Sequence, residues 1–539
     1  MMKQNSQTHH VEVKKSDIFE EDKKNQIEGK NSFLRFSIGR EISEFKCFSD
    51  ILPIYCKNCG AVFSKNDLER KVSMPNGVIL TCQFCEKGNT IEISANDLRI
   101  PNEPSVFYLL DNEGKYIQTT NLKNAEEVYN KQILKSKITI ILCIDISGSM
   151  VEKLSNPTGI DSKYFKIKEN PTRLECIKYA IDCYIKKLLQ EKPNTKVGFV
   201  FFNDMIHILG NGSCLPMKTI DGSLLGNFNG LFGMAESDAL IYIKNTITNS
   251  QGKLLKCLET LSCGGATALG PAFLYSLGLA TTGAKGSEII LCTDGLSTKG
   301  FGKTETNDPI EVSTSKGMYS KMGQLAKKSS VKVSVISIVD EECNLDILSP
   351  IVDATGGSII KVNPLKLNES LKFIVEDPLV AIDVKYDSQV NHCFEFTEIN
   401  FGKFSKDKSS VTVELDNVTK ITTFFNEIKL KEEEKLVHLN SQIYMNFCLT
   451  QNYPVQYKIN FTNLAGQKCL LIITESHGVT SNEGKGSNTV HLASMKKRIL
   501  KQQEFLLKKG HFKEEKKNSK ITLTSSIMNS GGQELHSVP

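Results

Sequence analysis

The chain of 539 residues is long enough for two to four domains, and 40% hydrophobic with 24% charged residues is ordinary composition for a folded soluble protein. A formal charge of +5 and an isoelectric point near 8.3 fall well short of the basic excess of a dedicated nucleic-acid binder, so no nucleic-acid partner is expected. The first fifteen residues lack the apolar core of a signal peptide, and no stretch reaches about 18 uninterrupted apolar residues, so a cytoplasmic location is expected.

Residues 1 to 31 are polar, charged and aperiodic, and read as a disordered leader. The next block, 32 to 104, carries the first organised chemistry. CKNC (Cys56, Cys59) and CQFC (Cys82, Cys85) are two C-x-x-C knuckles separated by 22 residues. That is close to a zinc spacing, each knuckle offering two thiolates to one tetrahedral ion, with Gly60 relieving crowding in the first turn. The alternative is two disulfides or four free thiols, which a reducing compartment disfavours for the former. Four cysteines leave no open coordination position, so the zinc is structural. Others among the sixteen cysteines, such as Cys143, Cys292 and Cys448, sit inside apolar runs and read as small core residues.

From 105 to 378, apolar strands alternate with helical patterns. SVFYLLD, KITIILCID, KVGFVFFND, SEIILCTDG, VKVSVISIV and GSIIKV are the predicted strands, and RLECIKYAIDCYIKKLL, GKLLKCLETL, PAFLYSLGLA and GMYSKMGQLAKK the predicted helices. Near-continuous Val, Ile, Leu and Phe predict strands buried on both faces of a doubly wound, mostly parallel α/β sheet. Asp145 ends one such strand, in ILCIDISGSM, and Ser147 and Ser149 follow in a tight turn. Open α/β sheets place ligands at such strand ends. Thr267, in the Gly-rich loop LSCGGATALG, and Asp294, ending SEIILCTDG, are predicted to meet the same edge. Alone, the D-x-S-x-S stretch reads equally as a capped turn.

This combination resembles the von Willebrand factor A domain with its metal-ion-dependent adhesion site. The resemblance implies that Asp145, Ser147, Ser149, Thr267 and Asp294 hold Mg²⁺ or Mn²⁺, the serines and threonine directly and the aspartates directly or through water. Neutral hydroxyl ligands leave such an ion electrophilic, so the implied ligand is a carboxylate on a protein partner. Two insertions, residues 151 to 172 and 213 to 236, flank the site and are candidates to cover it or extend its surface. The stretch STKGFGKT mimics a phosphate-binding loop, but Ser297 replaces its first glycine, and Pro309 is expected to oppose the helix such a loop opens; no nucleotide is expected.

Residues 379 to 476 switch to period-two alternation in SSVTVELDN, QIYMNFCL and YPVQYKINFTNLAGQKCLLIITES, predicting an antiparallel β-sandwich with a hairpin at NLAG. Residues 477 to 539 hold a polar linker, a basic amphipathic helix over MKKRILKQQEFLLKKGHFKEEKK and a polar tail. That helix is a candidate for peripheral contact with anionic membrane, against the alternative of a solvated face. The order zinc ribbon, A-type domain and β-sandwich resembles the inner-coat subunits of the COPII vesicle coat, on LPIYCKNCGAVF, LTCQFCEKGNTIEI and the hairpin residues. The sequence is expected to have no room for the helical and gelsolin-like domains of those subunits, and its adhesion motif is complete where the coat trunk usually lacks one. The reading is a non-enzymatic interaction protein, with a trafficking adaptor as alternative. A ubiquitin ligase is set aside because its ring needs eight ligands, and histidines such as His207 and His438 form no catalytic constellation.

Overall fold

The computed structural model describes residues 26–28, 31–45, 47–94, 96–117, 138–153, 171–293, 296–305, 308–338, 345–362, 367–397, 402–431 and 452–480. Asp294, Cys448, His438, the segment QIYMNFCL and the basic C-terminal segment lie outside these residues.

The described residues begin in the sandwich. Strands β1 (Gln26–Glu28) and β2 (Asn31–Phe36) and helix α1 (Ile38–Glu44) precede a small antiparallel unit of β3 (Lys71–Met74), β4 (Gly77–Thr81) and β5 (Gly88–Ile91) that carries both cysteine knuckles. Strand β6 (Ser105–Leu110) returns to the sandwich, antiparallel to β20 (Lys468–Thr480). The expectation that SVFYLLD belongs to the parallel sheet is therefore corrected. One sandwich face of β6 buries Phe107 in the main core, while Val106, Tyr108 and Leu110 on the other pack with Val62, Leu470 and Ile472 beneath the cysteine unit. Two covered faces gave the strand the continuous apolar look of a parallel one.

The α/β unit is inserted between β6 and the later sandwich strands. It contains β7 (Thr139–Asp145), α2 (Arg173–Glu191), β8 (Lys196–Phe202), β9 (Ile206–Gly210), β10 (Lys218–Ile220), α3 (Phe228–Tyr242), α4 (Ile247–Thr260) and α5 (Leu269–Thr281). It continues through β11 (Glu288–Thr293), α6 (Pro309–Lys328), β12 (Lys332–Ile338), α7 (Leu345–Thr355), β13 (Ile359–Val362) and α8 (Leu367–Glu376). Its sheet runs β10-β9-β8-β7-β11-β12-β13, parallel from β8 to β13, with β9 and β10 added antiparallel at one edge. Alternate residues serve opposite faces: Ile141 and Cys143 join the core with α3, α5, α6 and α7, and Ile140, Leu142 and Ile144 the core with α2, α4 and α8. Burial pushes the thiol of Cys292 up to about 12, with Asp145 adding to the shift, so this cysteine is a protonated core residue as expected.

The predicted insertion at 213 to 236 supplies β10 and the start of α3. Pro309, expected to oppose a helix, is instead the first residue of α6. Asp308 caps it by accepting from the Ile310 N–H at 3.0 Å, and a proline fits there because that N–H has no helical partner.

The sandwich closes with β14 (Leu379–Val390), β15 (Phe394–Phe396), β16 (Lys403–Phe404), β17 (Ser410–Thr419), β18 (Phe424–Leu430), β19 (Asn452–Thr462) and β20. One sheet runs β1-β20-β19-β14-β17-β16 with β6 also on β20, and faces the sheet β15-β18-β2. The NLAG hairpin joins β19 to β20 as predicted, but three N-terminal strands complete the sandwich that the sequence had placed wholly at 379 to 476.

Candidate metal centres

The first centre lies where the strand order reverses. Connections run one way from β7 to β8 and the other way from β11 to β12, so the crevice outside their carboxyl ends falls between β7 and β11. Asp145 is the last residue of β7 and is fully buried. Its carboxylate is fixed at both oxygens: Oδ1 accepts from the Ser147 N–H at 2.9 Å, and Oδ2 accepts from the Thr293 hydroxyl at 2.7 Å. The turn then places the hydroxyls of Ser147 and Ser149 3.2 Å apart. Two cis ligands of an octahedral Mg²⁺ at about 2.1 Å stand about 3 Å apart, so this pair matches one edge of such a shell.

The loop carrying Thr267 is clasped to that turn by backbone bonds. Gly148 N–H donates to Gly265 O at 3.0 Å, and Gly264 N–H to Ile146 O at 2.9 Å. Asn203, just past β8, donates its side-chain amide to Gly264 O at 2.9 Å and accepts from the Ala268 N–H at its backbone oxygen. Gly265 sits at φ +89°, a conformation that favours glycine, and a Cβ there, 2.6 Å from Asp204 Oδ1, would have to push that carboxylate aside. From the β11 side, Thr298 donates its N–H to Thr267 O at 2.9 Å and accepts from the Thr267 N–H at its hydroxyl, 3.0 Å. The STKGFGKT stretch thus braces the threonine loop. Behind the serine turn, buried Arg173 at the start of α2 pairs with Glu152 at 2.7 Å, and a bridge between Lys153 and Thr172 closes the ends of the first insertion, of which residues 154 to 170 lie outside the described residues.

Four of the five predicted donors are described, and the structure gathers Asp145, Ser147, Ser149 and the Thr267 loop at one point; the fifth, Asp294, lies directly after Thr293 outside the described residues. Sequence reasoning passed over Thr293, Asn203 and Thr298, although the first two stand in the strand-end stretches TDG and FFND. The donors are carboxylate and hydroxyl oxygens, which suit a hard divalent cation.

The second centre unites all four predicted cysteines. Their sulfurs lie within 4.8 Å of one another, with Cys56 to Cys85 at 3.6 Å and Cys59 to Cys82 at 3.7 Å. A tetrahedron with Zn–S of about 2.3 Å has edges of about 3.8 Å, so the thiols fit one zinc ion. None is in a disulfide. Both knuckles are tight turns, with Gly60 N–H bonded to Cys56 O at 2.9 Å and Glu86 N–H to Cys82 O at 2.9 Å. Gly60 takes φ +73°, as expected. The Cys82 thiol donates to Cys59 and pulls it down to about 5, while burial pushes Cys85 up to about 11.

The knuckles dock on the sandwich through side chains that grip their backbone. Gln456 accepts from Val62 N–H at 2.7 Å and donates to Val62 O at 2.8 Å, Lys458 donates to Gly60 O at 2.9 Å, and Asn391 donates to Gln83 O at 2.6 Å.

No protein-family model matches the sequence. It is 26% identical over 481 residues to Circularly permutated Ras protein 1 of Dictyostelium discoideum, covering 85% of this chain and 53% of that protein. The chain thus spans about half the length of that curated relative. Among solved structures it is similar to the human COPII-coat protein Sec24c, at 16% identity and TM-score 0.43, covering 80% of this chain and 55% of the other. It is also similar to a von Willebrand factor type A protein from Catenulispora acidiphila, at 13% identity and TM-score 0.35, covering 67% and 72%. The fold described above stands on its own strand order. Among the described residues, no helix is long and apolar enough to cross a membrane.

Proposed function

We propose that the chain is a cytoplasmic, non-enzymatic interaction module. It binds an acidic side chain of a protein partner through Mg²⁺ or Mn²⁺ at Asp145, Ser147, Ser149, Thr267 and Asp294, and is braced by zinc at Cys56, Cys59, Cys82 and Cys85. The observation that carries this reading is the Ser147–Ser149 hydroxyl pair, 3.2 Å apart beside a buried, doubly fixed carboxylate. Ligands that are mostly neutral hydroxyls leave the cation electron-poor, and a partner's carboxylate replacing a water supplies the missing charge. Affinity purification with Mg²⁺ and with chelator, using the native chain and Thr267→Ala, tests it. Partners held only with Mg²⁺ and only by the native chain are expected; partners indifferent to both changes refute it.

A second reading, a COPII-coat-like trafficking adaptor peripheral to membranes, is favoured by the docking of the cysteine unit on a sandwich into which the α/β unit is inserted. Flotation with anionic liposomes, with and without residues 491 to 539, separates the two readings; no difference between the full and the shortened chain removes the membrane role.

A further inference from the structure

Resting on the adhesion-site reading, we infer that residues beside the site form a specificity ledge that takes an apolar side chain flanking the partner's carboxylate. The ledge begins at Thr298, which is bonded to the Thr267 backbone, and continues into Lys299 and Phe301. Phe301 meets Phe228, the first residue of α3, with ring centroids 5.5 Å apart. Lys321 of α6 sits with its ammonium 4.1 Å from the centre of the Phe228 ring. The 3₁₀ turn just before α3 closes the other side: a Cβ on Gly300 would lie 3.2 Å from Leu225 O, and the neighbouring Leu224 is 39% exposed.

From the metal loop the chain thus leads to an apolar pair, Phe301 and Phe228, with Lys321 over the Phe228 ring, Lys299 and Lys303 flanking Phe301 in sequence, and exposed Leu224 four residues before Phe228. Phe228 and Phe301 are only half-buried, and Lys303 and Lys321 are exposed. Lys299 is held 3.6 Å from Asp204, both partly exposed, so an incoming carboxylate competes for it in water. The occupant that fits apolar rings bordered by lysines next to an electrophilic cation is an acidic peptide with an aliphatic or aromatic residue near its metal-binding carboxylate. Positive edges favour extra acidic residues in that peptide and speed its arrival. Much of the ledge comes from the insertion at 213 to 236, so it is a property of this chain and not of the sheet beneath it.

The test is selection from a displayed library of nine-residue peptides with a central Glu or Asp and all other positions random, run on the full chain with Mg²⁺ and with EDTA. Mg²⁺-dependent peptides enriched in Leu, Ile, Phe or Tyr at one flanking position are expected. Phe228→Ser should keep the carboxylate requirement but lose that enrichment, and weaken the best peptide roughly tenfold, the worth of one partly buried apolar side chain. Lys321→Glu, a change at an exposed position, should weaken the same peptide and deplete acidic residues from the selected set. Mg²⁺-dependent peptides with no apolar preference, or with one that both variants leave unchanged, overturn the ledge while the metal reading stands. Selection indifferent to EDTA, or no selection, overturns the metal reading and the ledge with it.

Discussion

Gln456 holds the cysteine unit to the sandwich, and replacing it by methionine isolates that grip. Its side chain is fully buried and makes three hydrogen bonds: from Val62 N–H at 2.7 Å, to Val62 O at 2.8 Å and to Thr474 Oγ1 at 2.9 Å. Methionine keeps the volume, so no sizeable cavity is left, but it offers neither a strong donor nor a strong acceptor. Val62 is 5% exposed, and water reaches its backbone poorly once the amide is gone. Two orphaned buried backbone groups at about 1–3 kcal/mol each give a total cost of about 2–6 kcal/mol; the half-buried Thr474 hydroxyl turns to solvent at little cost. The assay is amide hydrogen exchange with a thermal melt as companion. Exchange within 54–91 should accelerate at least tenfold, since 1.4 kcal/mol corresponds to that factor, while the α/β unit is unaffected. A cost under about 0.5 kcal/mol with unchanged exchange would refute the claim that these bonds dock the unit.

Stripping zinc with a strong chelator should loosen the same segment, because binding energy of roughly 10–16 kcal/mol in small zinc modules is also folding energy; metal analysis should then find one zinc per chain lost, and the α/β unit should melt as before. Thr293→Val removes the hydroxyl that fixes Asp145 Oδ2 and should weaken Mg²⁺ binding about 10–100-fold, read by calorimetry, with the fold preserved by the similar shape. His207 lies 3.3 Å from Asn203 Oδ1, and burial holds its pKa below the usual 6.5 against the opposing pull of Asp204. The folded state then binds fewer protons than the unfolded chain in the window from 6.5 down to that lowered value. Stability should therefore fall as pH drops through this window and level off beneath it, and melts of His207→Gln should lack the trend.

Much of the α/β unit was legible because strands covered on both faces are continuous in Val, Ile, Leu and Phe, and because Asp145 stands where such a strand must stop. The same rule misplaced Ser105–Leu110. Its second face is covered by the cysteine unit through Val62, a contact between segments that no local pattern encodes. Sandwich strands β1, β2 and β6 were missed as partners of β18 and β20 for the same reason: their pairing spans more than 350 residues. At the cysteine centre, spacing alone found all four cysteines that the structure gathers, since such a cluster needs little beyond two tight turns. At the oxygen centre the meeting of Asp145, Ser147, Ser149 and the Thr267 loop was legible, but the groups that hold them were not. Thr293, Asn203 and Thr298 act through bonds to loops up to 148 residues away. Pro309 shows the converse error, where a residue that breaks helices inside them is well suited to starting one.

Asp145, Ser147, Ser149, Thr267 and Asp294 are proposed to hold a hard divalent cation. Titration with Mn²⁺ followed by electron paramagnetic resonance, on zinc-loaded full chain, tests it most directly. A saturable six-coordinate Mn²⁺ site is expected, one that Mg²⁺ displaces and that Ser149→Ala combined with Thr267→Ala abolishes, with the melt unchanged. Mn²⁺ that binds the double variant as tightly as the native chain, or fails to bind the folded native chain, would contradict it.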